Sequence, residues 1–315
     1  MTVPDLRYLL ITPAKNEATF IELTIQSVLS QTLRPVRWII IDDGSTDRTA
    51  EIVDRHAQKH DWIELLQMPE RQNRDFASKA DCVNTAYNYT KHLDHDIVAS
   101  LDADISFEED YFAFLLQKFL EDPQLGLAGT PFSENGTTYD YRFSSTHHVS
   151  GACQLFRREC FEAIGGYTPV KGGGIDVIAV LGARMRGWRT QTFTGKTSSH
   201  HRLMGSAKEH RKVLLGFSAG QKDYRLGFHP VWEGFRSVYQ MTRKPYIVGG
   251  AAMLTGYSWA MFCRSERSVN DELLKFQRKD QMRRLRSFFG FRDTDSVGDT
   301  AAMEFKSSTA PVSKT

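Results

Sequence analysis

The chain of 315 residues carries 40 Lys and Arg against 38 Asp and Glu, a formal charge of +2, with 41% hydrophobic and 25% charged residues. That balance excludes a disordered or fibrous chain and a globally basic nucleic-acid binder, and the length suffices for one large α/β domain with an appendage. Four scattered cysteines (Cys82, Cys153, Cys160 and Cys263) without a CxxC pair argue against a zinc site or a disulfide framework and suit a reducing cytoplasm.

The opening segment shows no signal-peptide pattern. Tyr8–Thr12 reads as a buried strand broken by Pro13, followed by a polar turn over Ala14–Glu17 and a helix over Phe20–Gln31. Val36–Ile41 predicts a second strand that runs into Asp42-Asp43-Gly44-Ser45-Thr46-Asp47. Gly44 permits a tight turn there, and Ser45 or Asp47 suits the cap of a helix over Thr49–His60. Trp62–Met68 reads as a third strand. This alternation predicts a parallel sheet with right-handed crossovers, and the lack of a GxGxxG turn disfavours a dinucleotide fold.

After the charged loop Arg71–Asp75, a helix over Ala77–His92 carries Lys79 near its start. Then comes Ile97-Val-Ala-Ser-Leu-Asp-Ala-Asp-Ile105. Its apolar run reads as a strand buried on both faces, which brings Asp102 and Asp104 to its C-terminal end, the edge where open α/β sheets collect ligands. Carboxylates at i and i+2 on a turning backbone can share one hard divalent cation that also takes substrate phosphates. The bland alternative is an acidic, solvated strand end, because Asp-X-Asp alone is common.

A helix over Glu108–Leu120, a strand over Leu125–Thr130 and a polar loop over Ser133–Tyr139 follow. The chain returns through a strand around His147–Gly151 into a short helix, Phe156–Ile164, stopped by Gly165-Gly166. Lys171-Gly-Gly-Gly-Ile-Asp176 is a glycine-rich loop that delivers a carboxylate to a helix over Val177–Arg186. Trp188–Phe193 reads as the last strand of the domain. Just beyond it, either His200 or His201 offers an imidazole to a metal, and Arg202 offers a partner for a diphosphate.

Taken together, these motifs resemble a family 2 glycosyltransferase of the GT-A fold. The residues that carry the resemblance are Pro13 to Glu17, Asp42 to Asp47, Lys79 with Asn84, Asp102 and Asp104, and Gly165-Gly166-Tyr167 followed by Asp176, all in the family's order. The resemblance implies an α/β fold with a mostly parallel central sheet and helices on both faces. It implies an enzyme that moves a sugar from a nucleotide-diphosphate donor, usually a UDP-sugar, to an acceptor hydroxyl with inversion. It puts Asp43 at the base, Asp102 at the ribose and Asp104 on a Mg²⁺ or Mn²⁺ ion, assigns Asp176 as the base catalyst, and groups Pro13, Glu17 and Lys79 with the nucleotide. The chain departs from the pattern at Ile175, where many members carry the Glu of a Glu-Asp pair.

Beyond residue 205 the composition changes. Lys208–Phe217 and Pro230–Met241 read as helices, and Tyr246–Cys263 carries no charge over a length that just suffices to span a bilayer. Its glycines, Thr255 and Ser258 suit a packed or interfacial helix at least as well. Glu272–Phe289 is a basic amphipathic helix suited to an anionic membrane surface, or simply a solvated face. The expected division is a glycosyltransferase domain over 1–205, a helical, membrane-associating extension over 206–291 and a disordered tail over 292–315. The expected protein is thus peripheral on the inner face of the cell membrane and glycosylates a lipid-linked or polysaccharide acceptor, with no nucleic-acid partner. A sugar nucleotidyltransferase and a non-catalytic glycan-binding protein are the alternatives.

Overall fold

The computed structural model describes residues 5–69, 76–134, 137–138, 146–170, 172–202 and 209–290. The expected loop Arg71–Asp75, part of the loop Ser133–Tyr139 and the tail beyond residue 291 lie outside them. The strands are β1 (Tyr8–Ala14), β2 (Arg37–Asp42), β3 (Ile63–Gln67), β4 (Ile97–Leu101), β5 (Ile105–Ser106), β6 (Leu125–Gly129), β7 (Phe132–Glu134), β8 (Thr137–Thr138), β9 (Cys153–Arg157), β10 (Arg189–Thr192) and β11 (Ser198–His200). The helices are α1 (Ile21–Leu29), α2 (Thr49–Ala57), α3 (Phe76–Thr90), α4 (Tyr111–Glu121), α5 (Arg158–Ile164), α6 (Ile175–Met185), α7 (Glu209–Arg225), α8 (Pro230–Met241), α9 (Val248–Phe262) and α10 (Asp271–Phe288).

Seven strands form one sheet in the order β10-β6-β9-β4-β1-β2-β3, and a second sheet runs β5-β11-β7-β8. The alternation of strand side chains sends Leu10, Ile40 and Ala99 to a core shared with α1, α2 and α4, and Ile11, Ile39 and Val98 to one shared with α3, α5 and α6. The expected helices on both faces are thus present. The sheet is mixed, however, because β9 pairs antiparallel with both β4 and β6. The returning strand lies at Cys153–Arg157, not around His147–Gly151. Pro13 does not end β1, which continues to Ala14. Tyr8 and Ala14 point their carbonyls towards β2, so Pro13 faces the β4 side, where pairing has already stopped at Ile11 opposite Ser100. A missing N–H loses no partner there.

The C-terminal helices pack on this frame. Leu226 and Leu273 join the second core cluster beside Ile175 and Ile178. Helices α7 and α9 approach backbone to backbone: a Cβ on Gly220 would lie 1.9 Å from the Met253 carbonyl oxygen, and one on Gly256 2.0 Å from that of Phe217. The glycines of the uncharged run therefore serve helix packing. At 15 residues α9 is shorter than a bilayer requires, and no described helix is long and apolar enough to cross one.

Within this bundle Glu233 is fully buried, 3.5 Å from Arg236, which pairs with Asp223 at 2.6 Å. Burial pushes the Glu233 carboxyl up to about 8, with Asp223 adding to the push and Arg236 opposing it. The folded chain thus holds a proton that an unfolded glutamate, with a pKa of about 4.3, releases. Stability present below that pH is lost as pH rises towards about 8. A thermal midpoint that falls across this window, with a shallower fall in Glu233→Gln, is the expected result. A flat profile in the unaltered chain would contradict it.

Candidate active site

The parallel strands β1, β2 and β4 end on the same edge of the large sheet, which gathers Lys15–Glu17, Asp42–Asp43 and Asp102. The loop after β2 is tied down before any ligand arrives. Gly44 takes φ 69° and Asn16 φ 55°. Ser45 N–H donates to Asp42 at 3.2 Å, and Thr46 N–H donates to the Asn16 side chain at 2.8 Å. Asp47 accepts from Thr49 N–H at 2.9 Å and from Ala18 N–H at 3.1 Å. Neither expected residue occupies the N-cap of α2, which is Arg48 and has no side-chain cap bond: Asp47, one residue earlier, holds the first N–H of the helix, and Ser45 braces the turn. Asp43 is left inside the edge, 4% exposed, with Lys15 Nζ at 3.9 Å.

Lys79, on the first turns of α3, forms an ion pair with Asp102 and donates to the Gly151 carbonyl at 3.1 Å. The Asp102 N–H in turn donates to Ala152 O at 2.9 Å, which fastens the start of β9 to the end of β4. The antiparallel strand therefore carries Gly151 to the nucleotide edge. Asp176 meets it there: a Cβ on Gly151 would lie 3.1 Å from that of Asp176. The helix begins at Ile175, earlier than expected, with Gly174 before it at φ 95°. Ile175 is 4% exposed and points into the core, so Asp176 occupies the first turn on the open side.

Asp104 lies where β4 passes into β5 and is 6% exposed. The β5–β11 register puts His200 opposite Ile105, and its Nε2 reaches Asp104 Oδ2 at 3.4 Å. Arg202 Nε donates to the same oxygen at 3.2 Å, and its Nη2 pairs with the buried Glu17. Burial pushes the Asp104 carboxyl up, but the contacts from His200 and Arg202 outweigh it and hold the carboxyl low. The same contact raises the His200 pKa against burial. His200 Nδ1 lies 3.0 Å from Glu134 Oε1, outside hydrogen-bonding geometry, so this contact is electrostatic. His201 turns elsewhere: its Nε2 is 2.8 Å from Ser106 Oγ, and its ring stacks on Phe20.

The structure thus brings together Asp43, Lys79, Asp102, Asp104, His200, Glu17 and Asp176 on one edge, with Pro13 at the end of β1 and His201 turned away. A carboxylate and an imidazole 3.4 Å apart suit Mg²⁺ or Mn²⁺. Among the described residues no group of three or more His, Cys, Asp or Glu side chains converges as a cage. Substrate oxygens and water would have to complete the shell, and Arg202 would have to yield. Trp188 packs over Gly126, away from this edge. Glu134 and the Gly151 carbonyl carry no sequence signal, because their places depend on β7 and β9 pairing.

A model of the family described as Glycosyl transferase family 2 matches residues 9–170, just over half the chain. Poly-beta-1,6-N-acetyl-D-glucosamine synthases of Staphylococcus aureus and Staphylococcus epidermidis are 32% identical over 136 and 138 residues, 43% of this chain and 31% of theirs. The chain thus matches about a third of the length of these curated relatives. Among solved structures, a mannosyltransferase from Pyrobaculum calidifontis in complex with GDP-Man and Mn²⁺ superposes with a TM-score of 0.55 at 20% identity, over 92% of this chain and 84% of the other. S. aureus TarS 1–349 in complex with UDP-GlcNAc gives 0.53 at 14% identity, over 86% and 78%.

Proposed function

The chain belongs to glycosyl transferase family 2, and from that premise we propose that this glycosyltransferase moves a hexosyl or N-acetylhexosaminyl group from a UDP-sugar, with inversion, to a hydroxyl of a lipid-linked or polysaccharide acceptor in cell-envelope glycan synthesis. The observation that carries the reading is the convergence of Asp43, the Lys79–Asp102 pair, the Asp104–His200 pair and Asp176 on one sheet edge. Asp43 meets the base, Asp102 with Lys79 meets the ribose, and Pro13 and Glu17 wall the nucleotide. Asp104 and His200 would hold a divalent cation, which when bound neutralises charge on the departing diphosphate. Asp176 takes the proton of the acceptor hydroxyl as that oxygen attacks the anomeric carbon opposite the diphosphate. The name of the staphylococcal relatives makes UDP-GlcNAc the first donor to try.

The test is release of the nucleoside diphosphate, UDP from UDP-GlcNAc or UDP-Glc and GDP from GDP-Man as the control donor, with Mg²⁺ or Mn²⁺ and membrane-lipid extract as acceptor. UDP release with sugar passed to the extract is expected. Pyrophosphate made from UTP and a sugar phosphate, or sugar binding without turnover, would overturn the reading.

We extend the proposal to the inner membrane surface. The exposed face of α9 presents Val248, Leu254, Trp259 and Phe262 with no charged residue, and Lys244 and Arg264 flank it. Such a face suits the interface of an anionic bilayer, with the basic flanks at the headgroups. Trp259→Glu with Phe262→Glu is expected to release the protein from anionic vesicles in co-sedimentation while UDP binding persists. Unchanged sedimentation would contradict membrane docking.

A further inference from the structure

Beside the glycine loop that leads into Asp176, the C-terminal helices build a wall of cations. The last turn of α7 lies over the glycine loop: a Cβ on Gly172 would lie 3.4 Å from Arg225 Nη1, and one on Gly174 2.8 Å from Leu226. One turn away is Lys222. Both cations are partly buried, and neither forms an ion pair among the described residues. From α10, the buried Asp280 serves three guanidiniums at once. It accepts from Arg184 at 2.9 and 2.7 Å, and from Arg283 at 3.1 Å, and pairs with Arg284 at 2.9 Å. From α8 comes Arg236, paired with Asp223. His148, three residues before Gly151, is exposed beside these groups, within electrostatic reach of Asp176, Arg284, Lys222 and Arg236.

We infer that this cluster of cations beside Asp176, made by Lys222, Arg225, Arg236 and Arg284 with His148, is an acceptor subsite for a phosphate group carried close to the hydroxyl that receives the sugar. Partly desolvated cations that outnumber their carboxylates gain most from a multivalent anion, and guanidinium with ammonium is the pairing that binds phosphate oxygens. The placement also separates two charges. The donor diphosphate belongs to the Asp104 edge, and the acceptor phosphate to the helical wall, with Asp176 between them. The inference rests on the reading of Asp176 as the acceptor-side group.

Isothermal titration of the full chain, saturated with UDP, tests it with three probes: GlcNAc 1-phosphate, a polyprenyl phosphate in neutral detergent micelles, and unphosphorylated GlcNAc. Binding of at least one phosphate probe, at least about tenfold tighter than GlcNAc, is expected, since charge-assisted hydrogen bonds to a phosphate are stronger than those to a neutral hydroxyl. Binding of the lipid alone would assign the phosphate to a lipid carrier, and binding of both to the sugar phosphate itself. Lys222→Ala and Arg225→Ala should each weaken that binding about tenfold or more, with Lys222→Arg largely restoring it. UDP affinity, measured separately, should not change. Equal binding of GlcNAc, no binding of either phosphate, or indifference to both alanines would overturn the inference. Loss of UDP binding in the unaltered chain would instead overturn the donor site.

Discussion

Asp104→Asn is expected to abolish sugar transfer, with a loss of at least about 10³-fold, and to remove metal-dependent nucleotide binding. Removing a single electrostatic stabiliser of developing charge costs about 10²–10³-fold, and here the loss would take the ion with it. Asp104 is 6% exposed and is approached by both His200 and Arg202. The amide keeps the size of the side chain but not the charge, so the ion would lose its anionic ligand while the Arg202 guanidinium beside it stays. If Asp104 serves only to anchor Arg202, the variant would be less stable yet would bind Mn²⁺ as before. Electron paramagnetic resonance of free Mn²⁺ with UDP present separates the two. Full activity in the variant, or in EDTA, would remove the metal from the mechanism.

Asp176→Asn is expected to lower turnover by about 10²–10⁴-fold, the usual contribution of a general base, with UDP and Mn²⁺ affinities nearly unchanged. The acceptor must attack from the face opposite the diphosphate, so its base has to come from a segment other than the Asp104 turn. The loop before α6 supplies one, with Gly174 in a conformation that favours glycine and Asp176 in the first turn against Gly151. If Asp176 merely stabilises the start of α6, the substitution would cost about 0.3–1 kcal/mol of stability and leave the rate near normal. Single-turnover measurement on folded variant decides, and a loss below about tenfold would count against the base.

Much of this edge was legible in the sequence because its signals are local. A dense apolar run that ends in Asp-Ala-Asp, and a Gly44 turn after β2, depend on nothing distant. The less legible features are tertiary. A strand buried on both faces reads alike whether its neighbour runs parallel or antiparallel, so β9 hid its direction. Ser198–His200 has no apolar pattern; its pairing with β5 and β7 makes it a strand, and the β5 register brings His200 rather than the His201 side chain to Asp104. In α9 both faces are uncharged. Only the close contacts of Gly250 and Gly256 reveal which face packs and which is left exposed.

The most direct test of the donor site is a crystal structure of the protein with UDP and Mn²⁺, recorded for the anomalous signal of manganese. The expected result is one manganese peak at coordination distance from the Asp104 carboxylate, with His200 beside it, the diphosphate on the ion and the uracil against Asp43. A well-occupied UDP with its manganese away from Asp104, or with its base away from Asp43, would contradict the site proposed for this glycosyltransferase.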